Sequence, residues 1–146
     1  MGKKVVPRRR IMREFVFKVI YQYDFTRDNV DEIFNYTLEN DILDPESVKE
    51  AWEFVRGIVE SIDEIDALIK AHLINWTFER LSSIDKNILR LGTYELLFKD
   101  DIPIEVTLNE AIEIAKKFGS EKSGKFVNGI LDRIAKEHAP KHKFKL

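Results

Sequence analysis

The residues best suited to bind a ligand lie near the amino terminus. There PRRRIMREFVFKVIYQY (residues 7–23) places four arginines among four aromatic side chains. Drawn as a helix at about 100° per residue, one half of this stretch is an apolar core face. The face turned away from it carries Arg10, Arg13, Phe17 and Tyr21. Guanidinium groups neutralise phosphates and exposed rings stack on unpaired bases, so the pattern favours binding of single-stranded RNA.

Other interpretations of this face stay open. Phe17 is equally compatible with burial against other helices, because large apolar side chains are usually inside a protein. Tyr21 is expected to be less buried, since its hydroxyl needs a partner or water. Basic amphipathic helices also bind membranes or acidic proteins, but no leucine or tryptophan stripe accompanies these arginines.

The charge distribution agrees with an anionic partner. Residues 1–13 hold six bases, Lys3 and Lys4 among them, and no acid, which gives +6. The remaining residues hold 18 bases and 26 acids, which gives −8. A total near zero with one basic end indicates a local anionic partner. The alternative is a solvated basic arm over residues 1–8.

Several classes of site are disfavoured by composition. The chain has no cysteine, which excludes disulfides and thiolate metal sites. His72 falls on an apolar helical stripe and is expected to be an interior histidine, and the carboxylates of residues 63–66 have no histidine at metal-ligand spacing. No serine, histidine and acid group can be paired. We therefore predict no cofactor, no metal and no enzymatic activity.

The sequence also carries no membrane or export signal. It has no apolar run of the roughly 18 residues that a membrane span needs. Arg8, Arg9 and Arg10 fall where a signal peptide would need its apolar stretch. A cytoplasmic protein is predicted.

The stretch GSEKSGKF (residues 119–126) matches the glycine and lysine spacing of a nucleotide-binding P-loop. A P-loop continues with serine or threonine to hold magnesium, whereas this chain has Phe126. It also follows a buried strand, whereas EIAKKF, the segment before Gly119, reads as a charged helix. An ATP site is therefore disfavoured.

Helical periodicity runs along nearly the whole chain, and no segment alternates as a strand does. We predict an all-α fold of about six to seven helices, packed as two small bundles in a single domain, residues 1–146. A long third helix joins the bundles, with Asp44 as its N-cap, Pro45 at its first position and Trp76 at its end.

Local signals predict the remaining helix ends. Asp28 is expected to cap the second helix, and Ser82 or Ser83 the helix that follows the third. Residues 107–110 form a capping box, and Gly119 is expected to end that helix in a left-handed conformation. Ser120 is expected to cap the last helix, with the free N–H groups of the turn offering a phosphate seat. Residues 139–146 are predicted to be a frayed tail.

The carboxyl-terminal half contains the stretches LRLGTYEL (residues 89–96), IPIEVTLNEAIEIAK (residues 102–116) and FGSEKSGKFVNGILD (residues 118–132). Together with the amino-terminal arginines, these stretches resemble the NusB family of bacterial transcription antitermination factors. It implies a non-catalytic protein that binds boxA-type single-stranded RNA with NusE, a small-subunit ribosomal protein. The pair would join the transcription elongation complex, including on ribosomal RNA operons.

By matched position, the resemblance also implies site residues. RNA would contact Arg9, Arg10, Arg13 and Tyr21 on the first helix, and Phe118, Lys122, Lys125 and Phe126 around the last interhelical turn. The NusE-type partner would meet the helix that carries Asp85 and Tyr94. From helical position alone, Lys125 is expected to be exposed, whereas Phe118 and Phe126 are compatible with either core or base stacking.

Two other functions stay open. One is a protein-interaction adaptor that makes no RNA contact through the Arg9–Tyr21 face. The other is a stand-alone relative of the amino-terminal RNA-binding domain of ribosomal RNA methyltransferases. A monomer and a homodimer are both compatible with the sequence.

Overall fold

The computed structural model describes residues 7–146, and this part of the chain holds helices and no strand. Seven α-helices follow one another: α1 (Arg8–Thr26), α2 (Val30–Asn40), α3 (Pro45–Glu60), α4 (Ile62–Ala71), α5 (Ser83–Phe98), α6 (Ile104–Phe118) and α7 (Ser123–His138). Short 3-10 turns occupy Phe78–Arg80 and Lys141–Lys145. The all-α prediction is confirmed. Lys3, Lys4 and nearly all of the predicted basic arm lie outside the described residues.

The chain divides into two compact units, one up to Arg56 and one from Gly57 onward. The first unit holds α1, α2 and most of α3. The second holds the end of α3 and the helices α4 to α7. A single domain over residues 1–146 stays a prediction.

The first unit has an aromatic centre. The ring of Phe34 stacks on Trp52, with 3.8 Å between ring centroids, and meets the edge of Phe15 at 4.9 Å. Asn29, and not the predicted Asp28, caps α2: its Oδ1 accepts a hydrogen bond from the amide of Asp31 at 2.9 Å. The residue nearest the free N–H groups takes the cap, so the prediction was one position early.

Asp44 caps α3 as predicted. Its carboxylate accepts hydrogen bonds from the amide of Ser47 at 2.7 Å and from the hydroxyl of Ser47 at 3.1 Å. The bond from the Ser47 amide holds the pKa of the Asp44 carboxyl below its usual value. Pro45 follows at the first helical position, where a missing N–H costs nothing.

The prediction of one long third helix was wrong. The helix is interrupted at Ser61, and α4, which follows the interruption, ends at Ala71. Ser61 has φ −105° and ψ 13°, and the acids Asp63 and Glu64 occupy the first turn of α4, where a helix N-terminus favours negative charge. The apolar residues continue at three- and four-residue spacing through the break. His72, with φ −110° and ψ 4°, is the C-cap of α4, and Asn75 beyond it adopts a left-handed φ of 62° before Trp76.

The second unit is built around α5, in which every residue from Asn87 to Leu96 is buried. This helix packs against α4, α6 and α7. Two glycines allow the close approach. A Cβ on Gly92 would come within 2.6 Å of Leu131, and one on Gly57 would collide with the ring and hydroxyl of Tyr94. Ser82 caps α5 as predicted, accepting from the amide of Asp85 at 3.1 Å.

A buried ion pair joins α4 to α5. Arg90 donates to both carboxylate oxygens of Asp66, each at 2.8 Å, and to the side-chain oxygen of Asn87 at 3.0 Å. The guanidinium also lies over the ring of Phe78, 5.5 Å from its centroid. This two-point geometry compensates the desolvation of the charges better than a single contact would.

The predicted capping box at residues 107–110 was wrong. The helix α6 begins three residues earlier, at Ile104, so Thr107 lies inside it. The hydroxyl of Thr107 donates to the buried carboxylate of Glu95 at 3.0 Å. The hydroxyl of Thr107 therefore bonds a side chain of α5 instead of capping its own helix.

The turn between α6 and α7 also differs from prediction. Gly119 follows the end of α6 but has φ −94°, which is not left-handed. Its need for glycine is steric, because a Cβ would lie 2.6 Å from the hydroxyl of Ser123. The last helix begins at Ser123, and Ser120 donates its amide to Ser123 Oγ at 3.0 Å instead of capping. Because that N–H is already paired, the phosphate seat predicted there was wrong.

The prediction that residues 139–146 form a frayed tail was wrong as well. Residues 141–145 form a 3-10 turn, and Lys143 is only 2% exposed. Its ammonium donates to the carbonyls of Glu95 at 2.9 Å and Leu96 at 3.2 Å, near the carboxyl end of α5. Burial lowers the pKa of Lys143, and the nearby carboxylates, with that of Glu95 first, oppose this shift. The acceptors are distant in sequence, so local composition could not reveal them.

We predict that Asp66→Ala lowers the free energy of unfolding by about 3–5 kcal/mol, because it leaves the buried Arg90 charge without its partner. Chemical denaturation followed by circular dichroism measures the loss. The exposed Asp63, on the same helix, gives a matched control, and Asp63→Ala is expected to cost less than about 1 kcal/mol. Equal losses in the two variants would contradict the role given to the ion pair.

Lys143→Met is expected to destabilise the second unit by about 1.5–3 kcal/mol, since hydrogen bonds to charged donors contribute on that scale. The same turn supplies the control Lys145→Met, at an exposed position, which is expected to have little effect. Hydrogen exchange at the carboxyl end of α5 should rise in Lys143→Met alone. Unchanged exchange there would show that the tail does not hold that helix end.

Candidate nucleic-acid interface

The arginines at the start of α1 are held by acidic and polar groups of α3. Arg8 donates to Ser47 Oγ at 3.0 Å and lies 3.6 Å from a Glu50 carboxylate oxygen, and Arg9 bonds the other Glu50 oxygen at 3.0 Å. Two guanidinium groups thus share one carboxylate, and both stay partly exposed. Arg8 also lies 4.0 Å from a carboxylate oxygen of Glu46, so the acids of α3 hold both arginines in place at the surface. Arg10, next along the helix, is half-buried.

Arg13 does not lie on an exposed face, so that part of the prediction was wrong, and Phe17 adopts the buried position that the sequence left open. Arg13 is 2% exposed and Phe17 3% exposed. The buried residues of α1 extend over most of its circumference and include Met12 and Val16. A helical wheel assumes that only one side of a helix is buried. This assumption does not hold for α1, because its buried residues lie on more than one side.

Tyr21 is half-buried and belongs to a short aromatic row along α1. Its ring centroid lies 5.9 Å from Phe17 and 5.0 Å from Phe25, which it meets edge-on. Phe25 is 64% exposed. The sequence analysis missed Phe25 as a site residue, although its spacing of four residues from Tyr21 places both on one helix face.

The second predicted group lies in the second unit, around the turn from α6 to α7. Lys122 and Lys125 are exposed, whereas Phe118 and Phe126 are half-buried. The ammonium of Lys117 lies over the ring of Phe118, 5.5 Å from its centroid. Neither phenylalanine is part of the fully buried core, so the alternative of a core position is not adopted for either ring.

Phe126 forms one wall of a surface pocket. Its ring meets the edge of Trp76 with 5.8 Å between centroids, and Trp76 is 57% exposed. The pocket has a volume of about 270 Å³. Its lining consists of Trp76, Arg80, Leu81, Ser82, Asp85, Ser120, Lys122, Ser123 and Phe126. Trp76 was not predicted as a site residue, since only the tertiary fold brings it to Phe126.

The polar groups of this pocket suit a nucleobase and its phosphate. Arg80 and Lys122 supply exposed positive charge. Asp85 Oδ1 is buried and accepts no hydrogen bond from residues 7–146. A carboxylate oxygen without a partner can accept from the amino or imino group of a base, while the two rings offer a stacking surface.

The helix predicted to meet a protein partner presents its two predicted residues differently. Asp85 lies near the start of α5 and lines the pocket. Tyr94 is only 8% exposed and packs beside Phe98, with 5.4 Å between ring centroids. The core of the second unit covers the ring of Tyr94, which therefore offers a protein partner little surface, and contact of the partner with this helix stays a prediction.

The P-loop resemblance of residues 119–126 lacks its structural context. The helix α6 precedes Gly119, where a P-loop would follow a strand. Among residues 7–146, no helix has both the length and the apolar character needed to cross a membrane.

Comparison with known proteins identifies a family that the chain matches. The family model described as the NusB family matches residues 10–136. The transcription antitermination protein NusB of Fervidobacterium nodosum is 55% identical over 97% of this chain and all of its own length. That of Thermotoga maritima is 56% identical over 96% of this chain and 98% of its own length.

Solved structures agree with the sequence comparison. A crystal form of Thermotoga maritima NusB has a TM-score of 0.88 and 54% identity, covering 98% of this chain and 100% of that one. A crystal structure of the antitermination factors NusB and NusE in complex with double-stranded RNA contains a chain with a TM-score of 0.84 and 32% identity, over 92% of this chain and 100% of that one. These relatives are named as transcription antitermination proteins and not as enzymes, in agreement with the prediction that this chain is not an enzyme. Similarity along nearly its entire length establishes that the chain belongs to the NusB family.

Proposed function

We propose that this protein is a transcription antitermination factor that binds boxA-type single-stranded RNA together with a NusE-type ribosomal protein. The complex would join the transcription elongation complex in the cytoplasm, including on ribosomal RNA operons. The observation that carries the proposal is the pocket between Trp76 and Phe126, which combines two partly exposed rings with cationic side chains and an unpaired carboxylate oxygen. The relatives' name supports a role in antitermination, and the structure of NusB with NusE and double-stranded RNA supports the two kinds of partner, a NusE-type protein and RNA.

The proposed RNA contacts divide by chemistry. Arg9 and Arg10 on α1, and Lys122 and Lys125 near the start of α7, would neutralise phosphates. Glu50 holds Arg9 in place before RNA arrives, which lowers the cost of ordering a long side chain. A phosphate would then compete with, or add to, the Glu50 contact.

Aromatic residues would supply the second kind of contact. Phe126, with Trp76, would stack on one base, and Tyr21, with Phe25, would stack on another. Phe118 would extend the first of these groups. Arg13 makes no direct RNA contact in this proposal, since its side chain is closed to solvent.

The NusE-type partner would meet α5 near Asp85. Tyr94 would act there by supporting the helix, because its ring lies inside the second unit. The Oδ1 atom of Asp85 can accept a hydrogen bond either from a protein donor or from a base. RNA titrations with and without the partner protein distinguish the two.

Arg10→Ala is expected to weaken binding to a boxA-like single strand and to reduce its salt slope by about 0.7 to 1, because one phosphate contact is lost. Affinity should be measured at several salt concentrations, with and without the NusE-type protein. Arg56→Ala serves as the matched control, since Arg56 is exposed and lies outside the proposed contacts. A variant that binds as tightly as the parent protein, with the same slope, would refute the α1 contact.

Phe126→Leu is expected to weaken RNA binding by about 1–3 kcal/mol, since it removes a stacking surface while keeping apolar volume. The salt slope should stay unchanged because no charge is altered. The thermal midpoint should shift little, as a substitution of similar volume costs less than about 1.5 kcal/mol. Phe144→Leu, at an exposed ring in the tail, is the control. Equal affinities for parent and Phe126→Leu would exclude base stacking at this pocket.

A further inference from the structure

Two histidines and a glutamate converge in the second unit, and none of the three lines the pocket beside Phe126. His72 is the C-cap of α4, and Glu137 and His138 are the last two residues of α7. Glu137 Oε2 lies 2.8 Å from His72 Nε2 and 3.6 Å from His138 Nε2. The three possible ligand atoms all lie within 4.8 Å of one another.

His72 is oriented as metal-bound histidines usually are. Its Nδ1 lies 2.8 Å from the carbonyl oxygen of Leu68, which can only accept, so this nitrogen carries the proton. The other nitrogen, Nε2, then points toward Glu137 and His138. Arg133 donates to the backbone carbonyl of His72 at 3.1 Å and holds the residue in place. Such hydrogen bonds fix the tautomer and ring orientation of a ligating histidine.

The local field favours a cation. The carboxyl ends of α4 and α7 meet at the cluster, and each helix end carries partial negative charge. An open depression of about 550 Å³, lined in part by Glu64 and His138, reaches the cluster from solvent. A metal ion therefore has both an electrostatic reason to bind and a path of entry.

We propose that His72 Nε2, Glu137 Oε2 and His138 Nε2 bind one zinc ion, with water as the fourth ligand. Tetrahedral ligands at about 2.0–2.1 Å from zinc lie about 3.3 Å apart, between the two separations observed here. Glu137 and His138 are exposed and have room for the small adjustment. Two imidazoles and one carboxylate suit zinc better than magnesium or calcium, which prefer oxygen ligands.

The ion would connect the ends of two helices that already meet through the contact of His72 with Glu137 and the hydrogen bond from Arg133 to the His72 carbonyl. It would replace the contact between His72 and Glu137 with bonds that also include His138. Zinc would therefore stabilise the second unit independently of RNA. This proposal does not depend on the proposed function.

The test is a titration of the full chain, without a histidine tag and freed of metal by chelation, with zinc alone. Calorimetry should show one saturable site. Cobalt should give the visible absorption of a site with nitrogen and oxygen ligands. Zinc at about a hundredfold excess over Kd should raise Tm by about 5 °C.

Two variants at exposed positions test the ligand set without disturbing the core. Glu137→Gln and His138→Ala are each expected to weaken zinc binding by roughly tenfold or more and to abolish most of the Tm shift. His142→Ala is the matched control, an exposed histidine outside the cluster, and should bind zinc like the parent. Circular dichroism checks that all three variants fold. The proposal is overturned if the parent shows no saturable site, if Glu137→Gln and His138→Ala both bind normally, or if His142→Ala loses binding.

Discussion

The burial of polar side chains along α5 is the constraint on which the second unit depends. Arg90 and Glu95 are both almost fully enclosed, so each must find a partner inside the protein. Asp66 on α4 pairs with Arg90, and Thr107 on α6 donates to Glu95. Lys143 then donates to the carbonyls of Glu95 and Leu96. One helix thus specifies where two neighbours and the chain terminus must lie.

The same packing also fixes the position of the candidate-site residues at the start of α5. Because the buried half of the helix is held on several sides, its first turn has a defined position. Ser82 caps that turn, and Asp85 within it lines the pocket beside Phe126. The stretch LRLGTYEL, which carries much of the family resemblance, holds structural residues such as Arg90 and Gly92. The resemblance in this stretch therefore reports a scaffold, while the proposed RNA chemistry lies on side chains that the scaffold positions.

The sequence predicted what depends on neighbouring residues. Helical periodicity gave the fold class, and Asp44 and Ser82 were recognised as caps because their partners lie three residues away. It failed at the predicted caps Asp28 and Ser120, where several polar residues stand side by side, and it failed where a distant partner decides. Thr107 bonds Glu95 rather than its own helix, and Lys143 finds acceptors 47 and 48 residues earlier. Arg13 was placed on an open face because a helical wheel cannot count how many sides are covered.

The same distinction between local and distant partners applies to the candidate site. The cationic and aromatic residue types were visible in the sequence, but their pairings were not, as the contacts of Arg9 with Glu50 and of Phe126 with Trp76 illustrate. Glu50 has a further physical effect. By sharing its charge between Arg8 and Arg9, it lowers the local positive potential while keeping the side chains ordered. Under the proposed function, less of the RNA affinity should then come from counterion release and more from stacking and hydrogen bonding, which distinguish an unpaired base from a bare phosphate backbone.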